Sequence, residues 1–412
     1  MLKNYFKIAI AVLMRRKFFT FISLFGISFT LTFLIVIAAF FDHLFSAGYP
    51  DVKRDRSLYV NRIILQNKVD WNITSPASFY FLDHYVSKLK TPSKVAISSN
   101  AKSTYSYVNN KKLSISYKYT NDQYWDVLEY DFVEGKAYNK QQIDSREKVA
   151  VISVEARDKY FDKSQQVIGK YIEADNAQYR VIGVVKDVPT TLPHVYSELY
   201  LPYTLAKPVF TPDRYFLGNF TAILLADSKD DMIKMNKEFQ QMAAKIPLPA
   251  KEYDKMYTFA DTYFVSYVRN IFGQGKESGL ESFYLAISMF VTLFLLLPTL
   301  NLVNINISRI MDRSSEIGVR KAFGASSHTL VLQFIVENII LTFLGGFIGI
   351  VLSVVLIYVF NSSEVIPNGH LSINLMVVFY TVLTCIVFGF ISGVYPAWRM
   401  SRMQVVRALK AS

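Results

Sequence analysis

The sequence of 412 residues is poor in several things, and each shortage removes a class of protein. It has one cysteine, Cys385, so no intrachain disulfide scaffold exists. Charged residues make up only 19%, below the usual quarter, while apolar residues reach 51% and aromatics 15%. That composition excludes intrinsic disorder. The five histidines (His43, His84, His194, His328 and His370) are scattered, without metal-ligand spacing. No G-x-x-x-x-G-K-[ST] loop occurs: Gly135-Lys136, Gly169-Lys170 and Gly275-Lys276 are followed by Ala, Tyr and Glu. No G-x-S-x-G elbow is present either. The expectation is a chain that is not an enzyme, with no catalytic, cofactor or metal residues of its own.

What is present is hydrophobicity in long runs, with a mean hydropathy of +0.22. A bilayer core takes about 20 apolar residues of helix, and four segments meet that length: 18–41, 282–303, 330–360 and 375–394. A cleaved signal peptide is the competing reading for residues 18–41. Their 24 uncharged residues exceed a signal-peptide core of roughly 7–15, so an uncleaved anchor is expected. Residues 42–281 contain no further span. The expected fold class is an α-helical membrane protein with four transmembrane helices, one plus three. A large α+β extracytoplasmic domain, residues 42–281, is inserted between the first and second, with a smaller subdomain around 190–260.

Charge orients this layout. Residues 1–17, 304–328 and 397–412 together hold 13 basic and 2 acidic side chains, while the loop 361–374 has no Lys or Arg. Residues 42–281 are near balance. Basic loops stay in the cytoplasm. The termini (an amphipathic helix in 1–17 and a tail in 395–412) and segment 304–328 are therefore expected inside, and the large domain outside. The net charge of +12 is thus an orientation signal, and no nucleic-acid partner is needed to explain it.

Within 42–281, period-2 patterning predicts strands at 57–65 and 111–119, the latter entered through a turn at Asn109-Asn110. A strand at 149–153, a short helix at 155–161 and a hairpin 169–185 turning at Asp175-Asn176 form an α+β unit. A strand followed by a helix capped near Asp227-Ser228 and running to Ile246 is expected over 221–246.

Segment 304–328 places Arg313, Glu316 and Arg320 on one helical face, with Lys321 beside them. A charged helix between two spans can press on a cytosolic partner, or be merely solvated. Glu337 lies inside the third run, where an ionisable group marks function or a packing hydrogen bond to Asn301 or Asn304. Gly345 and Gly349, then Gly389 and Gly393, form small-xxx-small faces for close helix packing.

The run SRIMDRSSEIGVRKAFGAS…QFIVENIILTFLGGFIGI, the ending YPAWRMSRMQVVRALK and residues 121–188 resemble the MacB/FtsX-type permeases of ABC systems. Val405 departs from the family's usual tail proline, and residues 18–41 lack its small-residue richness. The resemblance implies a permease in the bacterial inner membrane, paired with a second permease that is identical or a paralogue. It also implies a cytosolic ATPase subunit that binds ATP and Mg, with Arg313, Glu316, Arg320 and Lys321 as the coupling contact. The implied work is mechanotransmission for export or extraction of a drug, peptide or lipoprotein, with a periplasmic adaptor and an outer-membrane component. The alternative is FtsX-like signalling to a cell-wall hydrolase.

Overall fold

The computed structural model describes residues 14–15, 17–69, 71–108, 111–161, 166–206, 216–312 and 327–401, with Ile10 and Val319 as single positions. They divide into a helical unit (up to His43, Tyr284–Val365 and from His370) and an α+β unit (Leu44–Phe283 with Ile366–Gly369).

Four long helices carry the apolar runs: α1 (Lys17–Phe45), α2 (Leu280–Asp312), α3 (Ser327–Ser362) and α4 (Leu375–Ser401). Residues 304–312, expected in the cytoplasmic segment, continue α2. Nothing from Asn304 to Asp312 is a glycine or proline that would stop it. Lys17–Phe45 and Ile335–Ser362 are long and apolar enough to cross a bilayer. The apolar stretches Leu280–Leu296 and Leu375–Ile391 are shorter. Leu24 of α1 packs on the pair Ile340 and Leu341 of α3, and further along both helices Ile27 meets Gly345 and Leu31 meets Gly349. The two contacts advance together, so α1 and α3 run parallel. Phe33 of α1 stacks on Phe294 of α2 at 4.4 Å.

The α+β unit is built on a ten-stranded sheet in the order β1-β12-β4-β6-β11-β8-β10-β7, with β5 on β6 and β9 on β10. Its strands are β1 (Ser57–Val60), β4 (Lys94–Ser99), β5 (Lys102–Val108), β6 (Lys111–Thr120), β7 (Phe132–Gly135), β8 (Val149–Ser153), β9 (Tyr171–Ala174), β10 (Ala177–Val185), β11 (Leu199–Pro202) and β12 (Phe220–Leu225). A second sheet, β13-β2-β3, holds β2 (Ile63–Asn67), β3 (Asn72–Ser75) and β13 (Tyr253–Thr258). Pairs β6–β11 and β8–β10 are parallel, and β8 and β11 are buried along their whole length. Strands covered on both faces read as apolar runs and lose the period-2 pattern.

The expected hairpin is present: β9 pairs with β10, and Asp175 and Asn176 take positive φ at its turn. Polar Asp and Asn tolerate that left-handed backbone better than other side chains. The expected strand 57–65 is instead two strands in two sheets. β1 pairs with β12 and β2 with β13 and β3, so the chain changes sheets at Asn61-Arg62. All of β1 and the first three residues of β2 are buried. The helix expected from Asp227-Ser228 to Ile246 spans Asp231–Ala243. Ser228 does contribute, since its hydroxyl accepts from the Asp231 backbone N–H at 3.3 Å. Residues 190–260 do not stand apart as a subdomain, because β11 and β12 lie inside the large sheet. Asn109-Asn110 lie outside the described residues, between the antiparallel pair β5–β6.

Candidate functional site

Arg313, Glu316, Arg320 and Lys321 lie outside the described residues, between the end of α2 at Asp312 and the start of α3 at Ser327. The other singled-out residues belong to the helices, and most of them come together there.

Gly345 and Gly349 face α1. A Cβ on Gly345 would stand 2.8 Å from Ile27 Cβ, and one on Gly349 would stand 2.9 Å from both Leu31 Cβ and the Ser28 carbonyl oxygen. Backbones this close leave room for hydrogen only, which is the steric reason for glycine here. The approach also opens a polar contact: Thr32 Oγ1 donates to the Gly349 carbonyl at 3.0 Å and to that of Ser28 at 2.7 Å. Gly389 makes the same kind of approach between α4 and α3, where a Cβ would collide with Thr342 Oγ1. Thr342 Oγ1 in turn donates to the Asn338 carbonyl at 2.9 Å. Gly393 is helical, but its surroundings lie outside the described side chains.

Glu337 is wholly buried in α3. Its neighbour in sequence, Asn338, accepts at Oδ1 a hydrogen bond from Asn306 Nδ2 at 2.8 Å. Asn306 is 2% exposed and Asn338 4%. Asn306 thus makes a polar link from α2 to α3, while the Asn301 side chain, one of the two partners the sequence offers Glu337, lies outside the described residues. Asn304 is exposed. The signal that could have found the link is Asn338 itself, a second polar residue beside Glu337 in an apolar run. A buried amide pair stabilises helix association in lipid by about 0.6 kcal/mol on average. It also ties the register of α2 to that of α3.

The α+β unit contains a second polar cluster that sequence reasoning passes over. Asp51, fully buried, accepts at Oδ2 from Tyr59 OH (2.6 Å), Arg54 Nε (2.9 Å) and His194 Nε2 (3.1 Å). Burial pushes its carboxyl up, but the hydrogen bond from His194, the Arg54 charge and the hydrogen bond from Tyr59 outweigh this and hold it below the ordinary value. Arg54 also donates from one terminal nitrogen to the carbonyls of Leu44 (3.0 Å) and Ser46 (2.8 Å), and its guanidinium lies 4.1 Å from the Tyr263 ring centroid. Lys118 on β6, also fully buried, donates to the His194 carbonyl at 2.8 Å and the Pro193 carbonyl at 3.4 Å. Asp51, Arg54 and His194 are 143 residues apart in sequence at the extremes, so no local pattern announces them.

Known proteins share this two-part construction. The model of the MacB-like periplasmic core domain matches residues 20–242, and that of the FtsX-like permease C-terminal domain matches residues 288–405. Among relatives, the uncharacterized ABC transporter permease YknZ of Bacillus subtilis is 24% identical over 319 residues, covering 77% of this chain and 75% of YknZ. The macrolide export ATP-binding/permease protein MacB of Escherichia coli K12 is 25% identical over 318 residues, 76% of this chain and 46% of MacB. The chain thus spans less than half the length of the MacB proteins it matches. The crystal structure of the extracellular domain of YknZ from Gram-positive bacteria aligns at 18% identity with a TM-score of 0.36, covering 48% of this chain and 99% of that domain. With a core-domain model matched over more than half its length and a permease model over most of the rest, the chain belongs to the MacB-like and FtsX-like family of ABC-transporter permeases.

Proposed function

We propose that this permease is a mechanotransmission subunit of the bacterial inner membrane. It crosses the bilayer four times and passes ATP-driven motion from a cytosolic ATPase subunit to a periplasmic α+β domain. ATP and Mg are bound by the ATPase, since the 412 residues contain no phosphate-binding loop. A second permease, identical or a paralogue, completes the pair. The work performed is export or extraction of a drug, peptide or lipoprotein from the periplasm, with an adaptor and an outer-membrane component.

The direction of the helices carries this reading. Parallel packing of α1 and α3 puts Lys17 and Ser327 at the same end of the bundle. That end carries Arg15 and Lys17 and, near the end of α2, Arg309, in keeping with the positive-inside rule. At the opposite end Asn374 Nδ2, just before α4, reaches Asp42 Oδ1 near the end of α1 at 3.3 Å. The segment joining α2 to α3, with Arg313, Glu316, Arg320 and Lys321, is then the natural contact for the ATPase.

Charge reversal tests the contact. Removing one member of a desolvated charge pair costs ~2–5 kcal/mol, largely by stranding its partner. Glu316→Arg is expected to abolish co-purification of the ATPase in mild detergent, or to leave ATP hydrolysis uncoupled from transport, with membrane insertion unchanged. Glu364→Arg, in the opposite loop, should do neither. Normal complex formation and transport by Glu316→Arg would reduce the segment to a solvated turn. Co-purification of a cell-wall hydrolase in place of an adaptor would turn the reading toward signalling.

A further inference from the structure

Residues 189–196 connect β10 to β11 and are held chiefly by side chains. Their carbonyl groups are bound in turn: Pro193 and His194 by Lys118 Nζ, and Val195 by the hydroxyls of Tyr130 (2.7 Å), Tyr200 (3.1 Å) and Tyr124 (3.3 Å). The His194 ring is tied to Asp51. Buried backbone that lacks a ladder must find partners of this kind. The segment leads directly into β11, which lies between β6 and β8 in the large sheet. Its attachment therefore bears on the centre of the fold.

The number of donors fits only the uncharged bases. A neutral lysine amine has two N–H bonds, and Lys118 has two carbonyls in reach. A neutral imidazole has one N–H, and His194 spends it on Asp51. Among the described residues, His194 Nδ1 is buried with no hydrogen-bonding partner. A proton added there would be a buried donor with no acceptor, an arrangement that disfavours the charged form. The groups facing His194 are Asp51, Arg54 and Lys118, with the rings of Tyr59 and Tyr263 against it. Arg54 opposes a further positive charge and Asp51 favours it, and burial tips the balance against the proton.

We propose that residues 189–196 form a proton-operated latch: closed while His194 and Lys118 are neutral, and released from the β6 and Asp51 anchors when His194 gains a proton. The inference goes beyond the coupling function and does not depend on it.

Burial holds the His194 imidazole below its ordinary value, outweighing Asp51, and pushes Lys118 down to about 7. Both are bases depressed in the closed state, so the released state binds protons more readily and release grows as pH falls. The windows differ. For Lys118 the change runs from the ordinary lysine range down to about 7, and for His194 it lies below the ordinary histidine value.

Hydrogen exchange on the full-length protein in detergent, corrected for intrinsic rates, reads the latch. Between about pH 8 and about pH 5, protection over 189–196 should fall on the order of tenfold while β12 stays protected. His194→Gln retains an N–H for Asp51 and cannot take up the proton, so it should remove the acid step. Lys118→Met should remove only the change above neutrality. Should Lys118→Met fail to fold, His194→Gln and the wild-type profile decide alone. Equal protection at both pH values in the wild type would overturn the latch. So would an unchanged acid step in His194→Gln, or a loss shared equally by β12.

Discussion

In the helical unit, Gly345 and Gly349 bring α3 against Ile27, Ser28 and Leu31 of α1, whereas in the α+β unit Phe81, Tyr124, Tyr200 and Phe239 are wholly buried in its hydrophobic cores. One region coheres by having almost no side chain at its closest contacts, the other by large side chains. The solvent explains the difference. In water, burying a large apolar side chain contributes about 1.5–3 kcal/mol. In lipid that drive is absent between helices, and close packing with occasional hydrogen bonds takes its place. Polar groups divide the same way. The helices bury an uncharged amide pair, Asn306–Asn338, while the α+β unit buries a full ion pair, Asp51–Arg54.

The ion pair gives the largest expected effect. Asp51→Ala strands the Arg54 guanidinium, 5% exposed, and should lower the stability of the α+β unit by ~3–5 kcal/mol, read as a drop in its thermal midpoint. A loss below about 1 kcal/mol would mean that the Leu44 and Ser46 carbonyls and the Tyr263 ring satisfy Arg54 by themselves.

A smaller effect separates two glycines of the same bundle. Gly349→Ala should destabilise the helices by ~1–3 kcal/mol through overpacking, because backbone as well as side chain stands in the way of the methyl group. A Cβ on Gly26 would meet nothing within 4 Å, so Gly26→Ala should be neutral or favourable by up to about 1 kcal/mol. Unfolding in mixed micelles would compare them, and equal effects would deny that glycine sets the α1–α3 distance.

The smallest effect is the amide pair. A double-mutant cycle on Asn306→Leu and Asn338→Leu should give a coupling of about 0.6 kcal/mol. A coupling several times larger would show that the pair also organises Glu337.

The sequence is most readable where structure is local. Strand 149–153 is legible to the residue as β8, and the turn at Asp175-Asn176 is marked by its polar pair, because both depend on neighbours in the chain. It is least readable where coverage from elsewhere decides. Residues 57–65 look like one strand, but the change of sheet after Val60 depends on β12 on one side and β13 on the other. His194 looks like an isolated histidine because its partners Asp51 and Lys118 come from distant segments.

Hydrophobic length alone marked the helices Lys17–Phe45 and Ile335–Ser362 as long and apolar enough to cross a bilayer, since that property depends on composition along the chain and needs no tertiary contact. Gly345, Gly349 and Gly389, singled out by their spacing, lie at close helix approaches. Only the tertiary structure decided which helix each glycine meets: Gly349 meets α1 and Gly389 meets Thr342 of α3. It alone also decided that one carboxylate, Asp51, serves Arg54, Tyr59 and His194 together. Such choices follow from which surfaces fold against each other, and a buried charge can be satisfied only by partners that folding brings to it.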